Sequence, residues 1–362
     1  MQPNDTRPLV AKTRGDLIEM IHRGAYVIVS SEGEILHAVG NPETWTYLRS
    51  CAKPFQALPI VERGAVETFE LTPEELAVCT ASHSGEPIHL ETIRSALAKA
   101  GLDEGLLQCG PHLPLETGTA HEMIRRREAP TAIHSNCSGK HAGMLLSAHV
   151  AGQPLDTYLE YDHPLQIEIR EGIAALAGLA PEEIVVSRDG CGAPVHGLPL
   201  WRIAWMYARL AKPDGLAAER AEALRTIRDA MMAAPYLVSG KGRIEVALMS
   251  TFAGRLVSKS GALGVYGIGL PELGIGIALK VEDGDATTRS ATAIRALRHI
   301  AEDELGKTAL DRLWEELCPP IRNYRREVVG EVLWIGDGTR SNPPHRTSSL
   351  PRRSRDDSTN PR

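Results

Sequence analysis

The chain has 362 residues, 43% hydrophobic and 24% charged, enough for a full hydrophobic core and two sub-domains. A net charge of -6, a pI near 6.1 and no basic stripe before residue 330 give no general attraction for nucleic acid or an anionic membrane. Six scattered cysteines make no disulfide framework, residues 1–14 lack the apolar centre of a signal peptide, and no apolar run approaches the roughly 18 residues that span a bilayer, so a reduced, cytoplasmic protein is expected.

Residues 25–30 are apolar and partly β-branched; a Ser31-Glu32-Gly33-Glu34 turn and a second apolar run at 35–39 complete a hairpin signature. Ser50-Cys51-Ala52-Lys53 follows as a Ser-x-x-Lys motif. If residues 51–63 form a helix, Pro54 fits only its first turn, which puts Ser50 at or near the N-cap and on one face with Lys53. A serine at the positive end of a helix dipole beside a neutral lysine is an activated nucleophile. A capping serine followed by an exposed lysine gives the same pattern without chemistry. Thr80-Ala81-Ser82-His83-Ser84-Gly85-Glu86 reads as a polar turn into a helix. There Ser84 caps ahead of Pro87, Ser82 is left for hydroxyl chemistry, and His83 is a base or a turn histidine.

Apolar residues at three- and four-residue spacing predict helices over 90–100, 165–177, 217–232 and 244–252. Between the first two lies His134-Ser135-Asn136-Cys137-Ser138-Gly139-Lys140-His141, with a thiol, an amine and two imidazoles in eight positions. Asp189-Gly190-Cys191-Gly192 echoes it with a thiol beside a carboxylate. Both stretches read as glycine-containing turns carrying function. Cys137 and Cys191 could supply half of a zinc shell, with His141 as the default nitrogen ligand. Lys140 is the stranger choice, because its amine must first lose a proton. Two free buried cysteines are the alternative.

Three glycine-linked β segments, 255–259, 264–268 and 275–280, predict an antiparallel meander, and helical spacing returns over 288–305 and 309–317. Lys259-Ser260-Gly261 closes the first of these segments; it is either a lysine and a strand edge offered to a carboxylate or an ordinary hairpin turn. Strands at both ends with helices between predict an α+β fold, an antiparallel sheet from N- and C-terminal strands flanked by helices, with a helical insert. Residues 1–335 read as one catalytic domain. Residues 336–362, rich in Arg, Ser and Pro and almost without apolar side chains, read as a disordered tail.

In order along the chain, Arg49-Ser50-Cys51-Ala52-Lys53-Pro54, Ser82-His83-Ser84-Gly85-Glu86, Asn136-Cys137-Ser138-Gly139-Lys140-His141-Ala142-Gly143-Met144 and Asp189-Gly190-Cys191-Gly192-Ala193-Pro194 resemble the asparaginase family typified by the inducible rhizobial enzyme. Ser239-Gly240-Lys241-Gly242-Arg243, Lys259-Ser260-Gly261-Ala262 and Gly269-Leu270-Pro271 extend the match. The resemblance implies a fold similar to serine β-lactamases and glutaminases, hydrolysis of L-asparagine to L-aspartate and ammonia, and a homodimer. It pairs Ser50 with Lys53 and Ser82 with Lys259, and makes Asp189 an active-site carboxylate. With Arg49 and His83, Asp189 is expected to bind substrate. It also makes Cys137, Lys140 and Cys191 a zinc site, displacing His141. Ser260 and Leu263 stand where relatives often differ.

Ser50 is then the expected nucleophile and Lys53 its base, with Ser82 and Lys259 relaying the proton or holding the substrate α-carboxylate. Three other readings share these residues. A glutaminase differs by one methylene of substrate, a β-lactamase-like or penicillin-recognising acylase uses the same serine–lysine logic, and a non-catalytic amino-acid sensor would bind without turnover.

Overall fold

The computed structural model describes residue 2 and residues 4–336; the predicted tail, apart from Gly336, lies outside the described residues. Among the described residues twelve strands run in chain order: β1 (Arg7–Arg14), β2 (Leu17–Ser30), β3 (Ile35–Val39), β4 (Trp45–Tyr47), β5 (Val185–Arg188), β6 (Pro194–Pro199), β7 (Val257–Ser260), β8 (Val265–Leu270), β9 (Ile275–Val281), β10 (Ile321–Arg322), β11 (Val328–Gly330) and β12 (Val332–Trp334). The main sheet has the order β12-β1-β2-β9-β8-β7, with β3 also on β2. Every pairing in it is antiparallel. The predicted hairpin is β2–β3 and the predicted meander is β7–β8–β9. N- and C-terminal strands do share one sheet, so the fold is α+β.

The long strand β2 shows how sequence sets layers. Its first half, paired to β1, leaves Leu17, Ile18, Met20 and Ile21 exposed, whereas Ala25 to Val29 are buried. That second half is apolar at successive positions because both faces are covered: helix Leu200–Ala211 packs on one side and helix Ala286–Leu305 on the other. Close approach of the first helix depends on Gly276 in β9, where an added Cβ would lie 1.9 Å from the Ala204 carbonyl oxygen.

Predicted helices at 90–100, 165–177, 217–232, 244–252, 288–305 and 309–317 correspond to Pro87–Lys99, Pro164–Ala177, Ala218–Ala233, Ile244–Thr251, Ala286–Leu305 and Lys307–Leu317. Three expectations need correction. Residues 51–63 are not one helix but a 3-10 turn (Arg49–Ala52) and two short helices, Lys53–Gln56 and Leu58–Glu62. Ser50 therefore lies inside the 3-10 turn and caps nothing, although Pro54 does occupy the first helical turn. Ser84 caps nothing either: Glu86 precedes helix Pro87–Lys99, and the Ser84 hydroxyl donates instead to the Ser239 carbonyl (3.0 Å). Finally, the stretch read as a turn at 137–141 is the start of helix Ser138–Val150. Two internal glycines argue against a helix by propensity; burial of almost every residue in it overrides them.

A second, three-stranded sheet, β4-β6-β5, forms beside the main one. Its β5–β6 hairpin carries Asp189 and Cys191 at the tip. The Leu48 N–H donates to the His196 carbonyl (2.9 Å), tying that hairpin to the Arg49–Ala52 turn. No helix among the described residues is long and apolar enough to cross a membrane.

Candidate active site

Four elements bring the polar motifs together: the Arg49–Lys53 turn, the loop at residues 81–86, the start of helix Ser138–Val150, and the end of β7. Lys53 stands at their centre, 1% exposed. Its amine donates to Ser82 Oγ (3.0 Å), to the Asn136 carbonyl (3.4 Å) and to Cys137 Sγ (3.4 Å), and closely to the Ala81 carbonyl. The hydrogen-bonded serine of Lys53 is thus Ser82, not Ser50. Ser50 is half-buried and precedes Lys53 by three residues on a continuous helical backbone. In 3-10 geometry residues three apart share a face; of the two serines Ser50 is the more open and Ser82 is nearly sealed.

The turn is held under strain. Arg49 adopts φ 52°, a left-handed conformation costing a non-glycine residue roughly 1–3 kcal/mol, a cost that recurs at functional sites. Its guanidinium is fixed by Asp189, at 2.9 Å to Oδ1. The same oxygen accepts the Gly190 N–H (2.8 Å), which leaves Oδ2 for a ligand. Two residues expected to bind substrate therefore bind each other first.

Lys259 is not on Ser82, as the resemblance would pair it. Fully buried, it reaches the Ser260 carbonyl (3.0 Å) and Glu245 Oε1 (3.5 Å). Burial lowers its amine to about 8, against the opposing pull of Glu245, and the nearby Lys53 charge lowers it further. Burial would raise the Glu245 carboxyl, but Lys259, Arg289 and the Ser260 hydroxyl outweigh it and hold the group at about 2. Glu245 also accepts the Ser260 N–H (2.9 Å) and, closely, its hydroxyl. Sequence reading missed Glu245; the signal was a glutamate at the head of an apolar helix, Ile244–Thr251, right after Ser239-Gly240-Lys241-Gly242-Arg243. Gly261 lets β7 press on the Ser50 turn: a Cβ there would meet the Leu48 carbonyl oxygen at 2.8 Å and Cys51 Sγ at 3.2 Å. Leu263 is exposed with φ 58°.

His83 is buried with both ring nitrogens engaged, Nδ1 accepting from the Gly85 N–H (3.1 Å) and Nε2 on Ser138 Oγ (2.8 Å). Burial drives it well below the ordinary imidazole range. A neutral, fully bonded ring braces the loop beneath Ser82 and has no nitrogen left for substrate.

Cys137, Lys140 and Cys191 do converge. The Lys140 amine lies 2.9 Å from Cys191 Sγ, and the Lys53 amine lies 3.4 Å from Cys137 Sγ. The neighbouring Cys191, with Lys53 and Lys140 close by, brings Cys137 well below the ordinary thiol range, while Cys191 is pushed up by Cys137 and by burial. Among the described residues no group of three or more His, Cys, Asp or Glu could hold a metal; this cluster reaches three donors only through the amine. His141 stays apart, its Nδ1 accepting from the Tyr158 hydroxyl (2.7 Å). Two thiols are usual zinc donors, and the Lys140 amine would join them as a third only after losing its proton.

The family model of L-asparaginase II matches residues 10–334. Among solved structures the chain is similar to Mglu (18% identity, covering 80% of this chain and 67% of that one, TM-score 0.36). It is similar to a β-lactamase from Mycobacterium bovis (13% identity, 81% and 94% covered, TM-score 0.39). It is also similar to a variant of simvastatin synthase, LovD, from Aspergillus terreus (13% identity, 74% and 90% covered, TM-score 0.39). No curated protein matches it.

Proposed function

The chain belongs to the L-asparaginase II family, and from that premise we propose that it hydrolyses L-asparagine to L-aspartate and ammonia by serine–lysine catalysis. The observation that carries the reading is Lys53, bonded to Ser82 at 3.0 Å and three residues after the more accessible Ser50. Ser50 Oγ attacks the carboxamide carbon while Lys53, acting as the general base, takes its proton. Ser82 passes that proton on to the amide nitrogen, the C–N bond breaks, and ammonia leaves an ester on Ser50. Water then attacks the ester, returning a proton through Lys53 to Ser50 Oγ, and aspartate departs.

Asp189 Oδ2 takes the substrate ammonium, with Arg49 fixing the carboxylate's position. Lys259 supplies positive charge for the substrate α-carboxylate. Zinc, held by Cys137, Lys140 and Cys191, would cross-link the helix start to the Asp189 hairpin and add a local positive charge. A homodimer in a reducing cytoplasm completes the reading; the six cysteines are all free thiols.

The test is ammonia release from L-asparagine and L-glutamine by the parent chain and by Ser50→Ala and Ser82→Ala. Release from asparagine, abolished in Ser50→Ala and reduced in Ser82→Ala, is expected. Full turnover by Ser50→Ala would remove it as nucleophile, and no release by the zinc-loaded parent from either amide would overturn the activity.

A further inference from the structure

Beside the β5–β6 hairpin is a cavity of about 230 Å³, lined by Tyr161, Gln166, Arg170, Val186, Pro194 and His196. It has room for several waters or one small organic molecule. Its polar side chains lack the partners that buried groups ordinarily have. His196 is 1% exposed and Gln166 2%, yet His196 Nδ1, Gln166 Oε1 and Arg170 Nε have no hydrogen bond among the described residues. Gln166 is already oriented, because its amide nitrogen donates to the Tyr158 carbonyl (2.7 Å); the orphaned oxygen must therefore accept. Burial lowers His196 to about 4, so Arg170 is the cation of this wall. Arg188, nearby, is taken by Glu160 (2.8 Å) and lies over the Tyr161 ring.

A cation and a fixed acceptor on one small cavity select a ligand with a carboxylate at one end and an N–H donor close by. We propose that this cavity is a second, non-catalytic site for a free α-amino acid, its carboxylate on Arg170 and its ammonium on Gln166 Oε1. Neither residue belongs to the serine–lysine centre. The site is nonetheless wired to it, since the His196 carbonyl accepts the Leu48 N–H at the head of the Ser50 turn and β5–β6 carries Asp189. Occupancy would stiffen both.

Calorimetric titration of the full chain with L-aspartate, succinate and inorganic phosphate tests this, alongside Arg170→Met and Gln166→Met. Arg170→Met keeps the aliphatic stem. Charged hydrogen bonds of this kind predict a roughly 10- to 100-fold loss of affinity for one L-aspartate component in each variant, with succinate and phosphate weaker than L-aspartate in the parent. Isotherms superimposable on the parent's would overturn the site, and equal binding of all three probes would overturn the amino-acid class. A crystal of the parent grown with L-aspartate is the arm that needs no variant: density bridging Arg170 and Gln166 supports the proposal, and ordered water alone refutes it.

Discussion

Replacing Glu245 by Gln isolates the charge in the Lys259 pocket. Glutamine keeps an oxygen for the Ser260 N–H and hydroxyl, so packing and those hydrogen bonds are largely retained. What is lost is the counter-charge of a fully buried lysine. In the intact protein the amine is lowered from 10.5 to about 8, and each unit costs about 1.4 kcal/mol. A folded pKa below the unfolded one means that the unfolded chain binds the proton more tightly, so this cost is fully present below pH 8 and fades as pH rises toward 10.5. It amounts to roughly 3 kcal/mol at pH 6.

Without Glu245 the attraction that holds the amine up is gone, so it falls further below its ordinary value and burying it at pH 6 costs more. The variant is therefore destabilised at pH 6, by about 3 kcal/mol on the usual cost of removing one partner of a buried ion pair, whereas by about pH 9 either protein carries a neutral lysine at nearly equal cost. Urea denaturation of both proteins at pH 6, 7.5 and 9 reads the difference directly. A penalty that is flat across this range, or larger at pH 9, would show that Glu245 does not serve as the counter-ion of Lys259.

Three further outcomes are expected. Cys191→Ser should drop bound zinc, measured by plasma mass spectrometry after purification, because a hydroxyl replaces a thiol donor; undiminished metal would remove the cluster as its site. Gly261→Ala drives a methyl into the Leu48 carbonyl and Cys51, and should cost roughly 1–3 kcal/mol in thermal unfolding and lower kcat by moving the Ser50 turn. Parent-like stability and kcat would mean that β7 is free to retreat. Asp189→Asn removes the charge facing Arg49 and should raise KM for asparagine roughly 10-fold or more; an unchanged KM would take the substrate ammonium away from this carboxylate.

The residues that folded as read are those whose neighbours in sequence decide the matter. The β2–β3 and β7–β8–β9 turns are glycine-rich and short, so strand, turn and register follow from local patterning. Ser-x-x-Lys placed Ser50 and Lys53 on one side of a turn by spacing alone, and the motif survives even though the element is 3-10 rather than a capped α-helix. The Cys137, Lys140 and Cys191 grouping came from the family resemblance, since Lys140 meets Cys191 across 51 residues. Helix Ser138–Val150 was misread because two glycines mask a segment whose helicity comes from being enclosed on every side.

Which motif meets which is a different kind of fact. Lys53 meets Ser82 across 29 residues and Lys259 meets Glu245 across 14, pairings that no local propensity encodes. They are fixed when β7 closes against the Arg49–Ala52 turn through Gly261, and when the Leu48 N–H docks on β6. Sequence by itself determined the elements and the chemical repertoire, because backbone periodicity and residue type are local. Tertiary structure decided that His83 is a bonded brace, that Asp189 is already in the grip of Arg49, and that a glutamate buried in an apolar helix is the counter-ion of Lys259. Burial lowers the effective dielectric around each charge, so its behaviour depends on neighbours that only the closed fold supplies.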